Sequence, residues 1–189
     1  YRDALNATYA LGGAFASNVM GWTVIQSGVF GIVAAIAATF ASWAGGKLDA
    51  SAGPKPVIVM AVLVLTVTIV VMMNLTPDAF FGHVLPEGSS LPDMIFYGCG
   101  VMIGAAGGIA QAASRTLMVF HTSEHDAAGD FGFYGLSGKA TAFLAPALIT
   151  LATTATGSAR LGIAPLVGLF LIGLVLMIWV KPQGERPAR

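Results

Sequence analysis

Residues 4–46 contain no Asp, Glu, Lys, Arg or His, and this run limits the fold more than any other feature of the 189-residue chain. A single helix over it would be about 65 Å long at 1.5 Å per residue, roughly twice the ~30 Å hydrocarbon thickness of a bilayer. The run is therefore read as two spans. Gly21-Trp22-Thr23 is the expected turn, with Trp22 placed at a membrane interface. Further uncharged runs cover 56–77, 94–114, 140–159 and 161–180, each near the ~20 residues a spanning helix needs. The sequence predicts an all-α membrane protein with six transmembrane helices, over approximately 4–21, 25–46, 56–76, 93–114, 130–154 and 160–180. None of these runs reads as a strand. Lipid admits only helices or closed barrels, and ~10-residue stretches of alternating apolar and polar residues are absent.

Composition excludes the competing classes. Charged residues make up 10% of the chain, against about 25% in soluble domains, too few to coat a water-facing surface. An ordinary soluble enzyme is ruled out. The formal net charge is +0 and there is no basic run, so the electrostatic footprint of a nucleic-acid binder is missing. Cys99 is the one cysteine and cannot form an internal disulfide. The 24 glycines suit close packing between membrane helices.

The basic residues give an orientation. With the N-terminus cytoplasmic, Arg2, Lys47, Lys55, Arg115, Lys181, Arg186 and Arg189 all fall inside, and Arg160 falls outside. That distribution satisfies the positive-inside rule. Both termini are then cytoplasmic in a multi-pass protein of the cell membrane, and the loop 75–93, with Asp78, Glu87 and Asp93, is external. Trp43 and Trp179 fall near cytoplasmic helix ends, as interface anchors do.

Several polar residues fall on helix faces where lipid would not tolerate them. Asp3, Asn6, Ala10, Gly13 and Ser17 form a small and polar stripe along the first span, which must face protein or water. Asp3 is either a solvated residue at the start of the helix or a buried one; Asn6 lies deeper. In the fourth span Gly100, Gly104 and Gly108 are four residues apart, a spacing that lets another backbone approach. Gln111 and Arg115 continue that face. Arg115 either belongs to a polar site or simply ends the helix, its stem snorkelling to the headgroups. Lys139 lies within the fifth span, where an ammonium costs roughly 2.5 to 3.5 kcal/mol. It either faces a cavity or carboxylate, or snorkels toward the cytoplasmic side. Tyr134, Ser137 and Gly138 precede it, and kinks are expected at Pro146 and Pro165.

Two enzyme signatures do not carry. His121-Thr122-Ser123-Glu124-His125 matches the zinc-peptidase pattern H-x-x-E-H, but no soluble domain follows to supply a third ligand, so no metal site is expected. Gly135-Leu136-Ser137-Gly138 has the G-x-S-G form of intramembrane serine proteases. No histidine follows His125 to act as base, and Lys139, two residues from Ser137, points to a different helix face. The chain is read as neither an enzyme nor a cofactor protein.

Longer motifs carry a family resemblance. The segment Gly46-Lys47-Leu48-Asp49-Ala50-Ser51-Ala52-Gly53-Pro54-Lys55 resembles the G-x-L-x-D-R-x-G-x-[RK] loop of major facilitator superfamily transporters, with Ala50-Ser51 replacing the Asp-Arg pair and Asp49 one position early. Gln111-Ala112-Ala113-Ser114-Arg115-Thr116-Leu117 is similar to a segment of the vacuole-effluxer-like branch, the autophagy-related amino-acid effluxers. So are Phe131 through Lys139, Thr156 through Gly162, and the opening Tyr1 through Asn6, in which Ala4 replaces a glycine. The resemblance implies the C-terminal six-helix half of a major facilitator fold, a 3+3 inverted repeat, with the N-terminal six-helix half of the same chain as its partner. The implied function is secondary transport of a small polar solute, amino acids or related metabolites, by alternating access. On that reading Asn6, Gln111, Tyr134 and Lys139 serve substrate or coupling, and Asp49, Lys55, Arg115 and Asp130 form a cytoplasmic gate. The alternative is a stand-alone six-helix membrane protein acting as a homodimer or a non-transporting partner.

Overall fold

The computed structural model describes residues 1–86, 88–122 and 126–182. Glu87, the Ser123-Glu124-His125 part of the H-x-x-E-H match, and Arg186 and Arg189 of the charge asymmetry lie outside the described residues. Eight helices make up nearly all of the rest: α1 (Arg2–Asn18), α2 (Val24–Ala52), α3 (Pro54–Met73), α4 (Leu91–His121), α5 (Ala127–Ala140), α6 (Leu144–Thr156), α7 (Ala159–Gly162) and α8 (Ala164–Met177).

Among the described residues, five stretches are long and apolar enough to cross a membrane: Val24–Ala52, Pro54–Met73, Leu91–His121, Ala127–Thr156 and Ala159–Met177. Six were expected, and the first one falls short. Helix α1 has 17 residues, about 25 Å at helical rise, at the lower limit of a span. The stripe of Asn6, Ala10, Gly13 and Ser17 that lowers its apolar character is exposed in this chain.

Helix ends follow local chemistry. Thr23 caps α2: its hydroxyl accepts from the Gln26 amide, while the Gln26 side-chain oxygen accepts from the Thr23 N–H. Helix α2 does not stop at Gly46 but continues through the loop motif to Ala52. Gly53 at φ 83° then turns the chain, and Pro54, whose fixed φ suits a first helical turn, starts α3. Between α3 and α4 the loop forms a small antiparallel hairpin, β1 (Ala79–Phe80) with β2 (His83–Val84). Its two turn residues, Phe81 and Gly82, both have positive φ, as tight hairpins require.

The fifth membrane stretch is broken at 141–143. Pro146 lacks the N–H that would bond the Ala142 carbonyl, and its ring clashes there, so the chain restarts as α6 with the proline in its first turn. Pro165 does the same in the last stretch, separating the one-turn α7 from α8.

Helix α4 lies at the centre, packed along α2 and α3; α3 also packs on α8, and α6 on α7 and α8. The α2–α4 pair is parallel and very close. A Cβ on Gly104 would fall on the carbonyl oxygen of Ala34, one on Gly108 would come 2.7 Å from the carbonyl oxygen of Ala38, and Gly100 lies under the Phe30 ring. The reverse contact is Gly45, where a Cβ would be 2.9 Å from Ile109.

An aromatic cluster closes the end of the bundle where α2 and α4 begin. Phe30 stacks on Phe96 with centroids 4.8 Å apart, Phe15 stacks on Phe96 at 5.6 Å, and Trp22 meets Phe96 edge-on at 4.8 Å. Trp22, expected at a membrane interface, packs into this cluster. It is 6% exposed, and its indole N–H donates to Asp93 Oδ1 at 2.6 Å. The half-buried Asp93 carboxylate and the rings of Phe30, Phe96 and Tyr97 hold the indole in place. Trp43 and Trp179 are by contrast exposed, at 68% and 72%. Trp22→Phe keeps the ring contacts and removes the N–H, and is expected to cost about 1.5 kcal/mol, as for a hydrogen bond to a charged group. A double-mutant cycle with Asp93→Ala, read by melting in detergent, checks it; additive losses would show that the pair is not coupled.

Candidate functional site

Three helices converge on a polar pocket of about 180 Å³. Helix α1 brings Asn6 and Arg2, α4 brings Gln111, Ser114 and Arg115, and α5 brings Tyr134. Asn6 of the first-span stripe, the two polar residues that continue the fourth-span glycine face, and Tyr134 of the fifth span therefore meet in one place. Asn6, Gln111 and Arg115 are exposed, and Tyr134 is half-buried.

The α1 end of the pocket is rigidly built. Arg2 donates from Nη1 to the Tyr134 carbonyl at 2.9 Å, and its guanidinium carbon sits 3.8 Å from the centroid of the Tyr134 ring, a cation–π contact. The side chain then runs along α5 as far as Gly138, where a Cβ would be 3.1 Å from Arg2 Nη2. Ser114 donates to the Ala110 carbonyl and takes a hydrogen bond from the Tyr1 hydroxyl. The Asp3 carboxylate is directed elsewhere: Oδ2 accepts from the backbone N–H of Ala145 at 2.9 Å, capping the start of α6. Asp3 is 9% exposed, so of its two readings the buried one holds.

The other expected site residues lie outside this pocket. Lys139 is exposed, one helical turn beyond the pocket residue Gly135, and its ammonium has no hydrogen bond or ion pair among the described residues. Asp130 is half-buried one turn before Tyr134. Asp49 and Lys55 line a separate groove of about 760 Å³ at the end of α2 and start of α3. The Oδ1 atom of Asp49 is buried there without a hydrogen bond among the described residues. Lys55 donates to the carbonyls of Ile178 and Val180, at 3.1 and 2.7 Å, tying the start of α3 to the chain just past α8. Thr116 lines this groove while Arg115 lines the pocket; successive residues point about 100° apart on a helix, so α4 separates the two.

The sequence had not singled out Arg2 or Ser114 as site residues. Arg2 entered only as a charge flanking the first run, although its place four residues before Asn6 puts it on the same face. The serine of the protease-like string is occupied otherwise: Ser137 Oγ donates to the Tyr134 carbonyl at 2.9 Å. His121 Nδ1 bonds the Leu117 carbonyl of its own helix.

Residues 1–188 match the family described as "Vacuole effluxer Atg22 like". The chain belongs to that family. An uncharacterized MFS-type transporter of Bacillus subtilis (strain 168), YxiO, is 28% identical over 88 residues, 47% of this chain and 21% of that relative. The match thus spans about a fifth of the relative's length. No solved structure matches the chain. The family's description is of vacuole effluxers and that of the relative is of an MFS-type transporter, and five long apolar helical stretches among the described residues agree with a multi-pass membrane protein.

Proposed function

We propose that this chain is the C-terminal half of a secondary active transporter that moves a small polar solute, an amino acid or related metabolite, by alternating access. The six helical passes form two groups of three related as an inverted repeat, with α5–α6 and α7–α8 each counted as one pass. An N-terminal six-helix half of the same chain supplies the facing wall of a solute path. The protein sits in the cell membrane with the ends of α2, α4 and α8 on the cytoplasmic side. The observation that carries this reading is the convergence of Asn6, Gln111, Arg115 and Tyr134, from three helices, on one polar pocket. Polar groups left on lipid-facing surface would be costly, whereas a path between two halves hydrates or pairs them. The exposed stripe of α1 is then the face turned to that path.

In this scheme Asn6, Gln111 and Tyr134 contact solute, and Lys139 supplies positive charge one turn further along α5. Asp49 and Asp130 work at the cytoplasmic gate, with Lys55 holding its edge to the end of the last helix, while Arg115 lines the solute pocket beside Gln111. Transport by the full-length protein in proteoliposomes tests the assignment. Lys139→Ala is expected to lower flux at least tenfold and Lys139→Arg to keep most of it. Unchanged flux in both variants would remove Lys139 from the path, and no flux by the wild type for any amino acid or small organic acid would overturn the transporter reading.

A further inference from the structure

We infer that the α1–α4–α5 pocket holds the carboxylate end of its solute, with Arg115 as the ion-pairing group and Arg2 as a fixed second positive charge. This rests on the reading of that pocket as a solute site, and it names the chemical class the pocket takes. The polar lining carries positive side chains and no negative ones. Two guanidinium groups and the amides of Asn6 and Gln111 line the pocket, and no Asp or Glu does. Each guanidinium carries five N–H donors and no acceptor.

No acidic side chain lines the pocket beside the arginines. The Asp3 carboxylate caps Ala145 of α6, and Asp130, a turn before Tyr134 on α5, is not part of the lining. The two arginines differ in freedom. Arg2 is clamped by the carbonyl and ring of Tyr134, while the guanidinium of Arg115 has no hydrogen bond or ion pair among the described residues. An unpaired guanidinium beside a fixed one, in a membrane protein, is an arrangement that an oxyanion completes. Arginine offers the planar fork that fits a carboxylate through two parallel hydrogen bonds. The pocket volume of about 180 Å³ is on the order of six water molecules at ~30 Å³ each, room for the carboxyl end of a small metabolite.

Binding to purified full-length protein, measured by titration calorimetry, tests this by comparing lactate, succinate and alanine with lactamide, succinamide and alaninamide. Each acid is expected to bind at least tenfold more tightly than its amide. Arg115→Gln is expected to erase that difference, and Arg115→Lys to restore part of it, having charge without the fork. Arg115 is exposed and unpaired, so these variants do not disturb the packing that Arg2 substitutions would. Amides binding as well as acids, a preference surviving Arg115→Gln, or no binding of any of the three acids would each overturn the inference. So would inorganic phosphate binding more tightly than every acid, since the site would then be one for phosphate. Flux separates this from the transporter reading. Flux of an acid unaffected by Arg115→Gln overturns the carboxylate site and leaves transport standing. Tight acid binding without flux of any solute does the reverse.

Discussion

Gly104→Leu is expected to prevent folded protein from accumulating, whereas Gly98→Leu on the same helix is expected to be tolerated. At Gly104 even a Cβ would fall on the backbone of α2, at the carbonyl of Ala34. A side chain in the way could change rotamer; a carbonyl in mid-helix moves only if α2 moves as a whole. Because α2 touches α4 again at Gly108 and Gly45, shifting it at one contact opens the others. Overpacking of a close contact costs typically 1–3 kcal/mol, and a Leu placed backbone to backbone sits at or above the top of that range, about 3 kcal/mol or more. That is a large part of the ~5–15 kcal/mol that holds a typical domain together. Gly98 has nothing within 4 Å of its Cβ position and is exposed, so a leucine there adds apolar surface without displacing anything. Size-exclusion profiles and melting of detergent-solubilised protein check the pair. A Gly104→Leu variant melting within a few degrees of wild type would mean that α2 and α4 are not in backbone contact.

The helices were legible in the sequence and their ends were not. A charge-free run marks where lipid must be, but a helix continues into water wherever its residues favour it. Helix α2 runs past Lys47 and Asp49 to Ala52, and α4 runs past Arg115 to His121, so loss of hydrophobicity gave boundaries too early. Proline was a better guide, because its effect is local: both Pro146 and Pro165 fall in the first turn of a helix that follows a break. Trp22 shows the opposite case. Interface preference is an average property of tryptophan, and the specific partners Asp93 and Phe96 come from a segment some seventy residues away that no local pattern connects to it.

The pocket was partly legible for the same reason. Asn6, Gln111, Arg115 and Tyr134 could be singled out because each is a polar residue where lipid would reject one, and that rule needs no knowledge of neighbours. Which of them meet is a tertiary fact. The same rule nominated Lys139, which lies outside the lining, because intolerance of lipid does not say which cavity a side chain faces. It passed over Arg2, whose significance lies in a ring and a carbonyl on α5. Gly138 had no reading of its own beside its reactive-looking neighbours; its missing side chain leaves room for Arg2.

The second large effect is expected at Asp3. Breaking a helix inside a membrane leaves backbone N–H groups without partners in a medium that offers none. At the α5–α6 break, one of these is the N–H of Ala145, which is fully buried, and Asp3 Oδ2 satisfies it at 2.9 Å. The carboxylate also sits at the positive end of the α6 dipole, where negative charge is favoured. Asp3→Ala removes both contributions. Loss of an N-cap costs about 0.5–2 kcal/mol and a buried donor left unpaired about 1–3 kcal/mol; these describe overlapping effects, so a loss of about 2–3 kcal/mol is expected. Asp3→Asn keeps a side-chain oxygen in the same place and is expected to recover most of it, leaving only the smaller dipole contribution. Because Arg2, the neighbouring residue, is clamped on α5, loosening α6 from Asp3 also loosens the wall that carries Tyr134. Flux through the full-length protein should therefore fall in Asp3→Ala even at temperatures where the protein remains folded, and return in Asp3→Asn. Equal melting temperatures for Asp3→Ala and wild type would show that the break is satisfied without this carboxylate. Equal damage from Ala and Asn would show instead that the charge, and not the hydrogen bond, is what the broken helix requires.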